Sequence, residues 1–380
     1  MYIKRHLLSK LRSSNKSILL LGPRQTGKST LIKELKPEMT INLADQAEFT
    51  RYLADPGLLR RVVGKYRTIM IDEVQRIPSL LNTVQALIDE DKKRRFYLTG
   101  SSARKLRQGN ANLLPGRLHS YHLGPLTPSE LGTNFDVMKS CSRGLLPDPY
   151  LDSEDNSWQK TLKTYAATYL KEEIQAEALT RNLEGFSRFL NIAASWSGDF
   201  LDFTKMASLA EIEKTSAKRY FEILEDTLVV NRISAFSKSD KVRLIQHPRF
   251  YFFDVGVLNG LLGNFETSND RLGKLYEHLV IQSIHATAQA LDKEIRISVF
   301  RTSAGAEVDL ILEDGKNVFA IEIKATKKVS PSDFRGLIQF SKFFGKRHQS
   351  IVISLDPKPQ EFKGGLAIPI QSLWNQLDWN

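Results

Sequence analysis

One cysteine, Cys141, stands in 380 residues. A lone thiol excludes an internal disulfide and a cysteine-based metal site, and both exclusions fit a cytoplasmic protein. Long apolar runs are missing too. None approaches the roughly 18 residues that span a bilayer, so no membrane partner is expected. The opening MYIKRHLLSKL is basic and amphipathic, without the continuous apolar core and cleavage site of a secretory leader. It reads as a helix docked on the mature fold. The rest is ordinary globular composition, 41% apolar and 26% charged, in a chain too long for one core. Two or three domains are the natural expectation.

Acidic residues are the scarcer charge, 43 against 54 Lys and Arg, for a formal net charge of +11. A cation-rich surface, which releases counterions from nucleic acid, points to a polyanion partner without choosing among DNA, RNA and an acidic protein.

The stretch GPRQTGKS satisfies G-x-x-x-x-G-K-[ST], with Gly22, Gly27, Lys28 and Ser29 in the fixed places. Ile18 to Leu21 before it read as a buried strand. STLIKEL after it reads as a helix, with Leu31, Ile32 and Leu35 at helical spacing. A glycine-flanked loop ending on a helix N-terminus aims backbone N–H groups at phosphate oxygens. Gly22, Pro23, Arg24, Gln25, Thr26, Gly27, Lys28, Ser29 and Thr30 are therefore the expected ATP cradle. Lys28 reaches the β and γ phosphates, and the Ser29 hydroxyl serves Mg²⁺. A second acidic strand should accompany the loop, and RTIMIDEVQRIP supplies it. Asp72, at the end of Ile69 to Ile71, is expected to hold Mg²⁺ through water, and Glu73 to polarise the attacking water. In a third strand, RRFYLTGSS, Thr99 and Ser101 are placed to sense the γ-phosphate or hold that water. Arg117, after a glycine in NLLPGRLHSYHLGPLTPSEL, is a candidate to cross a subunit boundary and stabilise charge on a neighbour's phosphoryl group.

These segments resemble the AAA+ ATPases of bacteria and archaea that carry a nuclease-like C-terminal domain of unassigned role, in the same order over nearly the whole chain. The resemblance implies an ASCE-type P-loop core with Glu73 as the hydrolytic glutamate. It also implies a homo-oligomer, a ring being the usual AAA+ assembly.

RGLLPDPYLDSEDNSW has no helical repeat and reads as a linker over 132–157. WQKTLKTYAATYLKEEIQAEAL resumes as a helix. LEGFSRFLNIAASW, with Leu183, Phe186, Phe189, Leu190 and Ala193 on one face, DFTKMASLAEI, and KTSAKRYFEILEDT, capped by Thr215 or Ser216, read as three helices. LVVNRISAF and RLIQHPRFYFFD read as a strand pair. Three helices and a hairpin describe a winged helix-turn-helix, whose third helix would offer Lys214, Thr215, Lys218 and Arg219 to a major groove. Lys238, Lys241 and Arg243 would meet phosphates from the wing.

RLGKLYEHLVIQSIHATAQAL reads as an amphipathic helix bearing Glu277, with Leu272, Leu275, Leu279 and Ile284 among its apolar positions. ISVFRTSAGAEVDLILEDGKNVFAIEIKATKK then reads as strand, loop and a hairpin turning at EDG. Glu322 and Lys324, two apart, share one strand face. Glu277, Asp309, Glu322 and Lys324 resemble the PD-(D/E)xK nuclease core, with Val308 where a proline is commonest. The resemblance implies that Glu277, Asp309 and Glu322 hold Mg²⁺ and that Lys324 orients the lytic water. Glu307 and Gln339 are secondary candidates. Asp254 reads as a helix cap.

The expected α/β architecture is thus an AAA+ (ASCE) P-loop domain over 1–131, a linker and helical connector over 132–180, a winged-helix domain over 181–253 and a restriction-endonuclease-like PD-(D/E)xK domain over 254–380. The expected function is ATP hydrolysis acting on duplex or branched DNA. The alternatives are a nucleotide-dependent DNA- or protein-binding switch that does not cleave, and a signalling or defence ATPase with a protein partner.

Overall fold

The computed structural model describes residues 3–55, 57–101, 114, 116–153, 157–169, 182–236 and 247–379. Five short strands open the fold: β1 (Ser17–Leu21), β2 (Met39–Asn42), β3 (Thr68–Asp72), β4 (Arg95–Gly100) and β5 (Leu118–His122). They pair in parallel throughout, in the order β2-β3-β4-β1-β5. Every residue of β1 is buried, as a strand covered on both faces requires. Its alternation sends Ile18 and Leu20 into one core and Leu19 and Leu21 into the other. Helix α1 (Leu7–Ser13) buries Leu7, Leu8 and Leu11 against the first of these faces, beside α2 (Lys28–Lys33). Helices α3 (Gln46–Ala54), α4 (Leu58–Val63) and α5 (Leu80–Glu90) flank the other.

The stretch expected to be an irregular linker is helical instead. After α6 (Pro128–Leu131), helices α7 (Val137–Arg143) and α8 (Pro147–Leu151) bury Cys141 and Tyr150. Both are too short to display an apolar repeat. Asp136 caps the first, accepting from Lys139 N at 2.6 Å, and Pro147 opens the second where no N–H is needed. Helix α9 (Ser157–Thr164) runs on into a wider π turn at Tyr165–Tyr169.

Helices α10 (Leu183–Ser195), α11 (Phe203–Leu209) and α12 (Lys214–Asp226) pack around Phe186, Phe189, Phe221 and Phe250. Two local expectations fail. Leu183 is 45% exposed because it is the first residue of its helix and lies outside the packed face. Thr215 and Ser216 do not cap α12, which begins two to three residues earlier with Glu213 at its N-cap.

The strand pair that follows, β6 (Val230–Ala235) and β7 (Arg249–Phe252), is antiparallel. It does not stand alone. Strand β6 pairs in parallel with β8 (Ile295–Arg301), joining a sheet ordered β12-β13-β11-β10-β9-β8-β6-β7. Here β9 (Glu307–Asp314) and β10 (Asn317–Lys324) form the expected hairpin. Strands β11 (Gln349–Ser354), β12 (Gln360–Phe362) and β13 (Gly365–Pro369) complete the far edge. Helix α13 (Val255–Leu262) is capped by Asp254, as expected. Helix α14 (Asn269–Ala290) is 22 residues long and buried along most of its length. Near its C-terminus it meets the first lobe so closely that a Cβ on Gly124 would lie 3.2 Å from Ala286 Cβ.

A small cavity of about 30 Å³ lies there, lined by Gly22, Pro23, His122, Gly124 and His285 among others. His285 Nε2 has no hydrogen-bond partner among the described residues. Burial holds the imidazole neutral, with its pKa lowered to about 4. Between pH 4 and 6.5 the unfolded chain therefore binds more protons at this residue than the folded one. The stability it contributes is present above pH 6.5 and is lost as pH falls toward 4. Relative to wild type, His285→Leu should gain about 2 kcal/mol between pH 7.5 and pH 5. Urea unfolding at the two pH values checks this, and an unchanged difference would contradict it.

Candidate functional site

The turn between β1 and α2 gathers unusual backbone. Gly27, at the helix N-cap, has φ 91° and Gln25 has φ 61°, both left-handed. Such residues point consecutive N–H groups toward one spot. The buried Thr26 hydroxyl donates to Pro23 O at 3.0 Å and closes the turn. Lys28 is 5% exposed. Its Nζ donates to Gly22 O at 2.9 Å and to Pro23 O at 2.8 Å, so the charge is held over the loop's own carbonyls. Behind the loop, the buried Arg5 guanidinium donates to Thr26 O (2.8 Å) and to Gly124 O and Pro125 O (both 2.9 Å), and pairs with Glu130 at 3.0 Å.

Strand order brings the acids to this turn. Asp72 and Thr99 end neighbouring strands, and β4 lies between β1 and β3. Ser29 Oγ donates to Asp72 Oδ1 at 2.8 Å, and the Thr99 hydroxyl donates to the same oxygen. Thr99 Oγ1 also accepts from Glu73 N at 3.1 Å. Glu73 sits at φ 58°, which breaks the strand and turns its side chain aside. The Gln75 amide bridges Glu73 and Ser101, at 2.9 Å to the Ser101 hydroxyl. A cleft of about 590 Å³ opens over Lys28, Ser29, Asp72 and Glu73, with Arg24 and Arg76 on its walls. Pro23 and Thr26 shape the loop from within, and Thr30 lines the cleft. Sequence reasoning missed Gln75 and Arg5. The first was visible only as a polar residue two places after Glu73.

Arg117 is not brought to this cleft. It precedes Leu118, which pairs with Ser17 at the opposite end of the parallel sheet. Its Nε and Nη2 donate to the two Asp89 oxygens, each at 2.9 Å. Those bonds lower the Asp89 pKa to about 2 and raise that of Arg117. A guanidinium so committed acts on no phosphate within its own chain.

A second cluster forms where β7, α14 and the β9–β10 hairpin meet. The Glu277 carboxylate accepts from the Tyr251 hydroxyl at 2.6 Å and from Arg249 Nη1 at 3.3 Å. Arg249 Nη2 bonds Glu307, and Nη1 lies 4.0 Å from Asp309 Oδ1. Asp309 Oδ2 accepts from Ile323 N at 2.8 Å, and Lys324 pairs with Glu322 at 2.6 Å. Burial, then the Asp309 charge, raises the pKa of Glu277 and of Glu322 to about 7. Burial also raises that of Asp309, against the pull of Lys324. The three acids expected to ligate Mg²⁺ are therefore brought together, but a guanidinium stands among Glu277, Glu307 and Asp309. Among the described residues no set of three or more Asp, Glu, His or Cys side chains is arranged to hold a metal ion. Arg249 escaped sequence reasoning; its one signal was a charge at the head of the aromatic run RFYFF. Gln339 lies on the exposed face of α15 (Arg335–Phe344).

On α12, Lys214, Thr215, Lys218 and Arg219 all lie on the exposed face. Lys238, Lys241 and Arg243 lie outside the described residues.

Three family models tile the chain. Residues 14–132 match an AAA domain, 134–268 a domain of unknown function (DUF8612), and 272–373 another (DUF4143). The N-terminal region is an AAA-type domain. The uncharacterized protein Rv2008c of Mycobacterium tuberculosis is 29% identical over 323 residues, 83% of this chain and 71% of its own. The uncharacterized protein Mb2031c of Mycobacterium bovis matches to the same extent. A signal transduction ATPase with numerous domains from Pyrococcus horikoshii, carrying a tetratricopeptide repeat sensor, overlaps at TM-score 0.26 and 14% identity. That overlap covers 76% of this chain and 47% of the other, so the chain spans less than half of that protein.

Thr99 supplies the hydroxyl that holds both Asp72 and the backbone of Glu73. Thr99→Val should lower nucleotide hydrolysis about 10- to 100-fold, while affinity for a fluorescent ATP analogue stays within about threefold, because Lys28 and the loop amides are untouched. Steady-state phosphate release and fluorescence titration check the two halves.

Proposed function

We propose that the protein is an ATPase whose nucleotide cycle repositions its appended domains on duplex or branched DNA. The observation that carries the nucleotide half is Lys28, poised on two loop carbonyls at the mouth of a cleft that also receives Asp72, Glu73 and Thr99. Carbonyls are weaker partners for an ammonium than phosphate oxygens, so Lys28 exchanges Gly22 O and Pro23 O for the β and γ phosphates when ATP enters. An apolar recess of about 160 Å³ adjoins the cleft, sharing Gly27 and Thr30 with it. Ile3, Leu31, Leu126, Pro147 and Leu151 wall it, as a purine ring requires.

The site fits Mg²⁺ as well. Ser29 and Asp72 are already joined through oxygen donors of the kind this ion prefers, and they would hold it. When bound, Mg²⁺ offsets charge on the phosphates. Glu73 then orients the attacking water and takes its proton, with Gln75 and Thr99 fixing its position and Ser101 supporting Gln75.

Helices α10 to α12 followed by β6 and β7 have the order of a winged helix, and the exposed Lys214, Lys218 and Arg219 support contact with a polyanion. These cations sit in the N-terminal half of α12, while Glu225 and Asp226 sit in its last turn. Lys214 in the first turn and the two acids in the last oppose the helix dipole, and a phosphate beside Lys214 offsets the cost at the N-terminal end. The α14 helix and the β9–β10 hairpin, with Glu277, Asp309, Glu322 and Lys324, support a restriction-endonuclease-like reading of the C-terminal region. The acids do not fit a resident Mg²⁺, however, because Arg249 stands among them. The C-terminal domain binds without cutting. A homo-oligomer, a ring being the AAA+ precedent, and a cytoplasmic location complete the proposal. Among the described residues no helix is long and apolar enough to cross a membrane.

Lys28→Ala should abolish binding of an ATP analogue, and Glu73→Gln should keep binding while losing about 10²-fold or more in hydrolysis. Replacing Lys214, Lys218 and Arg219 by Ala should weaken duplex binding and flatten its salt dependence. Wild-type protein that binds no ATP analogue ends the nucleotide reading. Duplex affinity indifferent to salt ends the DNA reading.

A further inference from the structure

We infer that Arg249 is the resident cation of the C-terminal acid cluster. It holds the place a divalent metal would need and clamps the middle strand pair to the C-terminal domain. The inference deepens the restriction-endonuclease-like reading and is independent of the nucleotide site.

Arg249 begins β7, the edge strand of the eight-stranded sheet. Tyr251 is two residues further on, hence on the same strand face, and both side chains converge on Glu277 Oε1. Carboxylates from two other elements thus bond the guanidinium, Glu277 on α14 and Glu307 on β9, while Tyr251 on β7 shares Glu277 with it. Asp309 stands 4.0 Å away. The guanidinium also lies over the Phe200 ring, 4.7 Å from its centroid, and Arg301 packs on the same ring at 4.8 Å. Arg301 in turn approaches Glu307 at 3.5 Å. Only 12% of the Arg249 side chain is exposed.

The charges here nearly balance. Glu277, Glu307, Asp309 and Glu322 face Arg249, Arg301 and Lys324. A divalent ion entering beside Arg249 would meet a like charge in a poorly solvated pocket, where repulsion is strong. It would also have to take oxygens already committed to Arg249, Tyr251 and Lys324. The planar guanidinium fork presents several donors, and here it reaches carboxylates on two separate elements at once. Glu322 Oε2 is buried with no partner among the described residues; that one oxygen is open to a metal, and the like charge of Arg249 is what opposes its entry.

The test uses the full chain without nucleotide, with Mn²⁺ as the probe, followed by calorimetry and by the loss of its free-ion paramagnetic signal. Wild type and Asp309→Asn should bind Mn²⁺ alike, showing that no binding depends on the cluster. Arg249→Met should gain Mn²⁺ affinity by about tenfold or more, and Arg249→Met with Asp309→Asn should lose that gain. Wild-type Mn²⁺ binding that Asp309→Asn abolishes would overturn the inference while leaving the nuclease-like reading intact. A folded Arg249→Met that gains no Mn²⁺ affinity would remove that reading and the inference with it. If Arg249→Met does not fold, the comparison of wild type with Asp309→Asn decides alone.

Discussion

One buried carboxylate joins segments that the sequence keeps far apart. Asp254 is fully buried, and its oxygens accept from Leu145 N at 2.7 Å and Val257 N at 3.0 Å. Gln282, on the long helix α14, reaches the same corner and accepts from Val255 N at 2.7 Å. Burial raises the Asp254 pKa to about 6, and the amides that donate to it hold the rise in check. The packing leaves no slack, since a Cβ on Gly256 would lie 2.1 Å from Arg143 O. The connector helices, α13 and α14 are fixed as one body. Through α14, that corner sets where Glu277 and His285 stand.

The two acid sites handle cations in opposite ways. At the first, Lys28 donates to two loop carbonyls and Asp72 accepts from two hydroxyls. Bonds to neutral partners are readily exchanged for charged ones. At the second, Arg249 and Lys324 rest on carboxylates in a largely buried setting. Removing one partner there strands a buried charge, which is costly. The first site is built for turnover of its contacts and the second for permanence.

What could be read from the residues divides along the same line. The phosphate loop and the acids after β3 are local: eight consecutive residues specify a turn, and an apolar run with Asp72 at its end specifies a strand opening on that turn. The β9–β10 hairpin is equally local, with its period-two alternation and EDG turn. Asp254 as a cap follows from its place before an apolar helix. Contacts between distant segments left no such mark. Arg249 lies 28 residues from Glu277 and 58 from Glu307 along the chain, and no spacing rule links them. Arg5 reaches carbonyls about 120 residues away. The connector helices were hidden by their brevity, and the joining of β6 to β8 by the fact that sheet order is not written in strand composition.

Helix α14 carries Glu277 beside Arg249 and, eight residues on, His285 beside the phosphate loop. At 1.5 Å per residue the two points are about 12 Å apart on one unbroken rod. Such a rod does not compress, so the places of Glu277 and His285 are set together. Any coupling carried by this strut is reciprocal: a ligand at the loop changes affinity at the acid cluster by the same factor as a ligand there changes affinity at the loop.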